Sequence, residues 1–299
     1  MTAERVKVRF ESDGIDCTGY LYRPASAGSN TPCIVMAPGF SGTQDTPAFR
    51  AVAEAFVEAG FIALTFDYRT FGESAGAPRQ LVSIRGQVKD LHAAVRFARS
   101  HPGIDPDRIA LWGTSLGGGH VVSAAAEDPR IAAVVAQIPF NGFPKRVEGR
   151  SFLETLRLLG AMFYDTVRGW FGRLPYYIPA VGKPGDLAVM ASPQAQRTIE
   201  AMQSAHWQNE VAPRVLFSMM RYKPGNRAYR LTMPLLVCIA EHDREVPPEL
   251  SREIADHAVH GEAKTYPYAH FDFYRPDVRD QVVADQIAFL EQHLMADGQ

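Results

Sequence analysis

The chain has 299 residues, 46% of them hydrophobic and 21% charged, with a formal net charge of −2. That length and balance suit a soluble globular protein with one large core, or a core carrying an insertion. With no Lys/Arg run and no net positive field to meet a phosphate backbone, nucleic acid is excluded as an expected partner.

Charges interleave with Val in residues 1–10, and no later stretch reaches the roughly 18 uninterrupted apolar residues of a membrane span. The expectation is a cytoplasmic protein with no membrane partner. Cys17, Cys33 and Cys238 are far apart and each lies in an apolar run, which suggests buried reduced thiols rather than a disulfide framework or a Cys-x-x-Cys metal site.

In chain order, residues 6–10 and 15–22 alternate apolar and polar around Ser12-Asp13-Gly14, the pattern of a hairpin. Residues 33–37 form a continuous apolar run, as in a strand buried on both faces of a parallel sheet. Pro38-Gly39-Phe40-Ser41-Gly42 follows, and then apolar residues recur at helical spacing from Phe49 until Gly60. Next come a strand at 62–66, a polar loop at 67–74, a helix over 83–100, a strand at 109–113, a helix over 116–126 and a strand at 131–138. Such alternation predicts an α/β fold with a mostly parallel, doubly wound sheet.

From 140 to 230 the rhythm changes. Helical spacing is read over 151–171, 193–206 and 211–222, broken by Pro175, Pro179 and Pro184, and no strand of the core type is evident. Trp170, Trp207, Tyr164, Tyr176 and Tyr177 fall in this stretch. We read 140–230 as a helical cap over the C-terminal edge of the sheet, where open α/β folds bind ligands, with about half of its aromatic and Met side chains facing the pocket. Its polar trio Asn209, Glu210 and Arg214 suits either substrate contact or a solvated helix face. The core, residues 1–139 and 231–299, resumes with a strand at 235–240, a helix over 248–258, a strand at 263–268 and a closing helix over 278–294.

The chemistry centres on Gly113-Thr114-Ser115-Leu116-Gly117, which follows a predicted strand and opens a predicted helix. A Ser on such a turn is raised above the sheet edge, and the glycines let strand and helix approach closely. Ser115 is therefore a candidate nucleophile. Serine hydrolysis also needs a base, a carboxylate to orient it, and donors for the oxyanion. Asp243, just past one core strand, and His270, just past the last, follow Ser115 in the order Ser, Asp, His. Glu241 and Asp272 are alternative carboxylates. Glu241-His242-Asp243 is not read as a metal site, because adjacent strand-end residues point in different directions. Gly117-Gly118-Gly119 lacks the Lys-Ser/Thr ending of a nucleotide loop.

With Ala37-Pro38-Gly39-Phe40-Ser41-Gly42, Phe66-Asp67-Tyr68-Arg69-Thr70-Phe71-Gly72-Glu73-Ser74, the Ser115 turn, Asp243-Arg244-Glu245-Val246-Pro247 and the His270 segment, the chain resembles the α/β-hydrolase superfamily. Within it, the resemblance is to bacterial hydrolases related to dienelactone hydrolases and prolyl-oligopeptidase-like esterases, over about residues 6–139 and 231–295. It implies Ser115 as nucleophile, His270 as general base and acid, Asp243 as orienting carboxylate, and the backbone N–H groups of Phe40 and Leu116 as the oxyanion hole. Many members have His-Gly where this chain has Pro38-Gly39; the backbone supplies the donor in either case. The expected activity is cleavage of a small carboxylic ester, apolar or aromatic, through an acyl-enzyme and without a cofactor. A thioesterase, peptidase or carbon–carbon bond hydrolase would use the same residues, and a non-catalytic ligand-binding relative is the reading from another class. A homodimer is possible for hydrolases of this kind.

Overall fold

Two strands, β1 (Glu4–Ser12) and β2 (Ile15–Arg23), pair in register as an antiparallel hairpin. Asp13 and Gly14 both take the positive φ that so tight a turn demands. The computed structural model describes residues 4–143 and 151–295.

After the hairpin each of the next four strands carries a buried, mostly apolar run, residues 33–37, 62–66, 109–113 and 133–136, as burial on both faces requires. These strands are β3 (Asn30–Ala37), β4 (Ile62–Phe66), β5 (Gly103–Thr114) and β6 (Ala133–Gln137). The helices α1 (Pro47–Glu58), α2 (Ile84–Ser100) and α3 (Leu116–Ala125) connect them. Ser83 is the N-cap of α2, its hydroxyl accepting from the Gly86 N–H, so that helix starts one residue after the predicted start. Strand β5 begins six residues earlier than its apolar run, because Asn30 and Thr31 pair with Gly103 and Ile104 before a register shift.

Beyond β6 the described chain adds nothing to the main sheet for nearly a hundred residues. It forms α4 (Phe152–Trp170), the two-residue strands β7 (Val181–Gly182) and β8 (Met190–Ala191), α5 (Pro193–Met202), α6 (Val215–Met219) and a 3-10 helix at Pro224–Arg230. Helix α5 stops short of the expected 206 because the Ser204 hydroxyl and the His206 N–H turn away to donate to Asp45. Helix α6 is far shorter than the expected 211–222. Val211 is used in a bridge to Ile178, and Pro213 prevents a helix from running through it.

The sheet is completed by β9 (Leu235–Ala240), α7 (Pro248–His257), β10 (Gly261–Tyr266), a 3-10 helix at His270–Tyr274 and α8 (Pro276–Leu294). Strand β10 ends before 268 because Pro267 has no N–H to give the ladder. The eight strands lie in the order β1-β2-β4-β3-β5-β6-β9-β10, antiparallel only at β1-β2 and β2-β4. This is the α/β-hydrolase architecture anticipated from the sequence.

Strand alternation divides the core in two. Val35, Leu64 and Leu111 pack with α2, α3 and α7 on one face, whereas Ile34, Met36 and Trp112 pack with α1 and α8 on the other. The connection from β3 leads outward to β4, and that from β5 leads the opposite way to β6, so the crevice opens at the ends of β3 and β5. The loop holding Phe40 and the turn holding Ser115 are the two segments that leave those ends.

Candidate active site

Ser115 joins β5 to α3 with φ 54° and ψ −118°, a conformation that a residue with a side chain adopts only under constraint. Three backbone bonds supply that constraint. Its N–H donates to the Gln137 carbonyl at 2.9 Å, and its own carbonyl accepts from Gly119 at 3.1 Å and Phe140 at 2.9 Å. A Cβ at Gly113 would collide with the Gly117 carbonyl, and one at Gly117 with the carbonyls of Ala37 and Pro38. Beneath the turn, Trp112 Nε1 donates to Gln286, whose amide donates to Gln137, whose amide donates to Thr114 Oγ1. Every member of that chain is buried.

Asp243 sits in the turn after β9, and its position is set by acceptance. Oδ1 takes the N–H groups of Glu245 at 2.9 Å and Val246 at 2.8 Å. Oδ2 lies 2.7 Å from His270 Nδ1. Of the three candidate carboxylates, Asp243 is the one bonded to His270. Glu241 is exposed, and Asp272 accepts from the Ala269 N–H at the start of the 3-10 helix. Burial by itself would push the His270 ring down. The charge of Asp243 and its hydrogen bond, helped by Glu245, more than offset this and hold the imidazole above its ordinary value.

The loop after β3 is fixed from below. The Gly42 N–H closes a turn onto the Gly39 carbonyl, and Gln44 donates through both its backbone and its side chain to Asp67. Burial raises the Asp67 carboxyl to about 6, against the bonds from Glu73 and Gln44. Among the described residues, the N–H groups of Phe40 and Leu116 have no hydrogen-bond acceptor.

These pieces meet in one cavity of about 280 Å³ whose walls include Phe40, Ser115, Leu116 and His270. Its remaining lining is mostly aliphatic: Leu158 and Met162 from α4, Leu216 and Met219 from α6, together with Phe140 and Phe143. Arg244 and Glu245 add charge at one side. A larger groove of about 1030 Å³ runs between α2 and residues 214–227 and contains none of the five candidate residues.

Of the aromatic and Met side chains of 140–230, Phe140, Phe143, Met162, Met190, Met219 and Met220 line the cavity, but the Trp and Tyr residues singled out from the sequence, Trp170, Trp207, Tyr164, Tyr176 and Tyr177, do not. Trp170 is exposed, and the Tyr177 hydroxyl donates to the Arg79 carbonyl. The Trp and Tyr residues misled because helix α4 presents its flexible Leu and Met side chains inward. Nor does the polar trio contact the cavity. Arg214 grips the wholly buried Asp165 through Nε and Nη2 at 2.7 Å each, while Asn209 bonds the Val181 backbone in both directions. The lining residues Leu158, Met162, Leu216 and Met219 had no motif to mark them, whereas Arg244 and Glu245 were adjacent to Asp243.

All three cysteines are buried, and burial pushes the thiols of Cys17 to about 12 and Cys238 to about 11. Among the described residues, no three His, Cys, Asp or Glu side chains converge as metal ligands, and no helix is long and apolar enough to cross a membrane.

The family model described as serine aminopeptidase, S33, matches residues 29–272. The chain belongs to that family of α/β-hydrolases. It is 39% identical over 288 residues to the quorum-quenching protein AidA of Acinetobacter baumannii (strain MDR-ZJ06), covering 95% of this chain and 94% of that one. The thiohydrolase apmlB of Arthrinium phaeospermum is 35% identical over 188 residues, 61% of this chain and 58% of its own. Among solved structures, the α/β hydrolase GrgF of Penicillium sp. sh18 superposes with a TM-score of 0.80 at 25% identity, covering 98% and 99% of the two chains. As a member of this hydrolase family, the chain is an enzyme of hydrolase type.

Proposed function

We propose that this hydrolase cleaves a carboxylic ester with an apolar acyl portion, through an acyl-enzyme on Ser115. The observation that carries the reading is the 2.7 Å contact of His270 Nδ1 with Asp243 in a cavity that Ser115 also lines. With Nδ1 occupied by the carboxylate, Nε2 is the ring nitrogen left to take the Ser115 proton. Attack by Oγ on the ester carbonyl gives a tetrahedral oxyanion, and the N–H groups of Phe40 and Leu116 are the donors available to it. Helix α3 adds the positive end of its dipole at the same point. His270 then passes the proton to the departing alcohol, and water, activated by the same ring, releases the acid.

The aliphatic lining supports a flexible acyl chain more than a rigid aromatic one, since Leu and Met side chains adjust to unbranched shapes. The quorum-quenching role named for the Acinetobacter relative makes a quorum signal that carries an ester bond a substrate class to try. A second reading, a thioester, is favoured by the thiohydrolase relative.

The test is a rate series on p-nitrophenyl esters of increasing acyl length, the matching thioesters and aminoacyl anilides, alongside labelling with a fluorophosphonate. Ester turnover with a label on Ser115 is expected. Cleavage of anilides alone would overturn the ester reading, and an unlabelled Ser115 would overturn the acyl-enzyme.

A further inference from the structure

Helix α4 has a second face, of which only Leu159 reaches the cavity. Phe152, Leu156, Leu159, Phe163, Thr166 and Trp170 are spaced four, three, four, three and four residues apart, which is the a/d repeat of a helix that packs against another helix. These positions fall on one stripe, and its five apolar members are between 42% and 83% exposed. The opposite side of the helix faces the protein, with Ala161, Met162 and Asp165 buried and Asp165 bound to Arg214. Among the described residues this stripe is exposed apolar surface.

We propose that this face binds a second copy of the chain, the two α4 helices packing antiparallel about a twofold axis that crosses the stripe between Leu159 and Phe163, at the level of Ala161 along the helix. Three observations select that occupant. First, the stripe is self-complementary: centred there, Phe152 meets the partner's Trp170, Leu156 meets the partner's Thr166, and Leu159 meets the partner's Phe163, so each d position opposes an a position, as an isologous contact requires.

Second, the area fits. The five side chains expose on the order of 600 Å², at about 150–250 Å² for a fully exposed aromatic residue. Phe171 and Leu174, exposed just past the helix end, raise this toward the roughly 800 Å² per partner of a standard interface. That is above the ordinary apolar patch of a monomer.

Third, the charge is wrong for a lipid surface. The charged residues of α4 are Glu154, Arg157, Asp165 and Arg168, two of each sign and all away from the stripe, on a chain of net charge −2. Helices that lie on anionic membranes instead carry a basic polar face. Leu159 belongs both to the stripe and to the cavity wall, so the interface borders the cavity mouth.

Sedimentation velocity on the full chain tests this. The wild type is expected to sediment as a dimer at micromolar concentration, and Leu156→Glu/Phe163→Glu as a folded monomer, with association weakened by at least ~100-fold because four carboxylates, two from each copy, would be buried without partners. Gly160→Cys provides a check that does not depend on destabilising the helix. Gly160 is exposed beside the proposed axis with nothing within 4 Å of an added Cβ, and the three native cysteines are buried. Mild oxidation should therefore link two copies into a covalent dimer on a non-reducing gel. A monomeric wild type would overturn the proposal, as would a dimer that survives the double substitution or a Gly160→Cys protein that does not cross-link. Co-sedimentation of a monomeric wild type with phosphatidylcholine/phosphatidylglycerol vesicles would give the face to lipid instead.

Discussion

The edge of the sheet and the helical segment above it meet at one cavity but are held by different means. At the sheet edge, Ser115 has its backbone bonded on both sides, Asp243 accepts two N–H groups and the His270 ring, and the loop of Phe40 hangs on Asp67. In the segment above, α4 is fixed mainly by one ion pair, Asp165 with Arg214, and by a few buried apolar residues, while much of its surface faces solvent. The lower half is thus preorganised by hydrogen bonds that tolerate little displacement. The upper half contributes an apolar wall to the cavity and no residue of the candidate triad.

Substitutions can break that contrast. The largest effect is expected from Ser115→Ala, which should lower ester turnover by ~10³-fold or more while leaving the thermal unfolding midpoint nearly unchanged. Retained turnover would remove Ser115 from the chemistry. Asp243→Asn is expected to cost roughly 10²–10⁴-fold in kcat, since the ring loses the group that orients it.

The pH profile sharpens the same point. The base must be neutral, so activity should rise as pH climbs through a His270 pKa held above the ordinary imidazole value. In Asp243→Asn the carboxylate that raises that pKa is gone, and the acid limb should move to lower pH. An unmoved limb in kcat/KM would show that another group titrates.

In the upper half the effects should be on stability and selection. Asp165→Asn leaves the Arg214 guanidinium without its partner and is expected to destabilise the fold by roughly 3 kcal/mol, the low end for a buried pair because Arg214 is partly exposed. Chemical denaturation measures this, and short-ester turnover should fall less than long-ester turnover as α4 loosens. The smallest effect is expected from Met162→Trp, which fills the cavity. Each buried methylene contributes about 0.8 kcal/mol, close to fourfold in kcat/KM, so the preference for longer acyl chains should be lost while acetate esters are little affected. Equal loss across the series would mean that the chain does not enter past Met162.

The two halves also differed in how much of them was readable beforehand. Gly113, Ser115 and Gly117 were legible because a strand-to-helix turn of this tightness leaves few residue choices. Asp243 was legible because it follows the wholly buried apolar run of β9, whereas His270 follows the polar edge strand β10 and was legible only from its place after the last strand. In the segment from 140 to 230 the Trp and Tyr residues were a poor guide to the cavity, although Phe140 and Phe143 do line it. Trp170 turned out to be exposed and Tyr177 was used to bond Arg79, since periodicity tells that a helix has faces but not which face meets the protein. Arg214 looked like a surface cation because its partner, Asp165, is 49 residues away.

The sequence by itself determined the order of strands and helices, the turn at Ser115 and the order of the three polar residues, because local backbone geometry and burial are written in short apolar runs and obligatory glycines. Only the tertiary structure decided that His270 bonds Asp243 rather than Glu241 or Asp272, that Leu and Met form the cavity wall, and that the Phe152–Trp170 stripe is left facing out. Those outcomes depend on contacts between residues distant in the chain, and the rotation of a helix about its own axis is set by what it packs against.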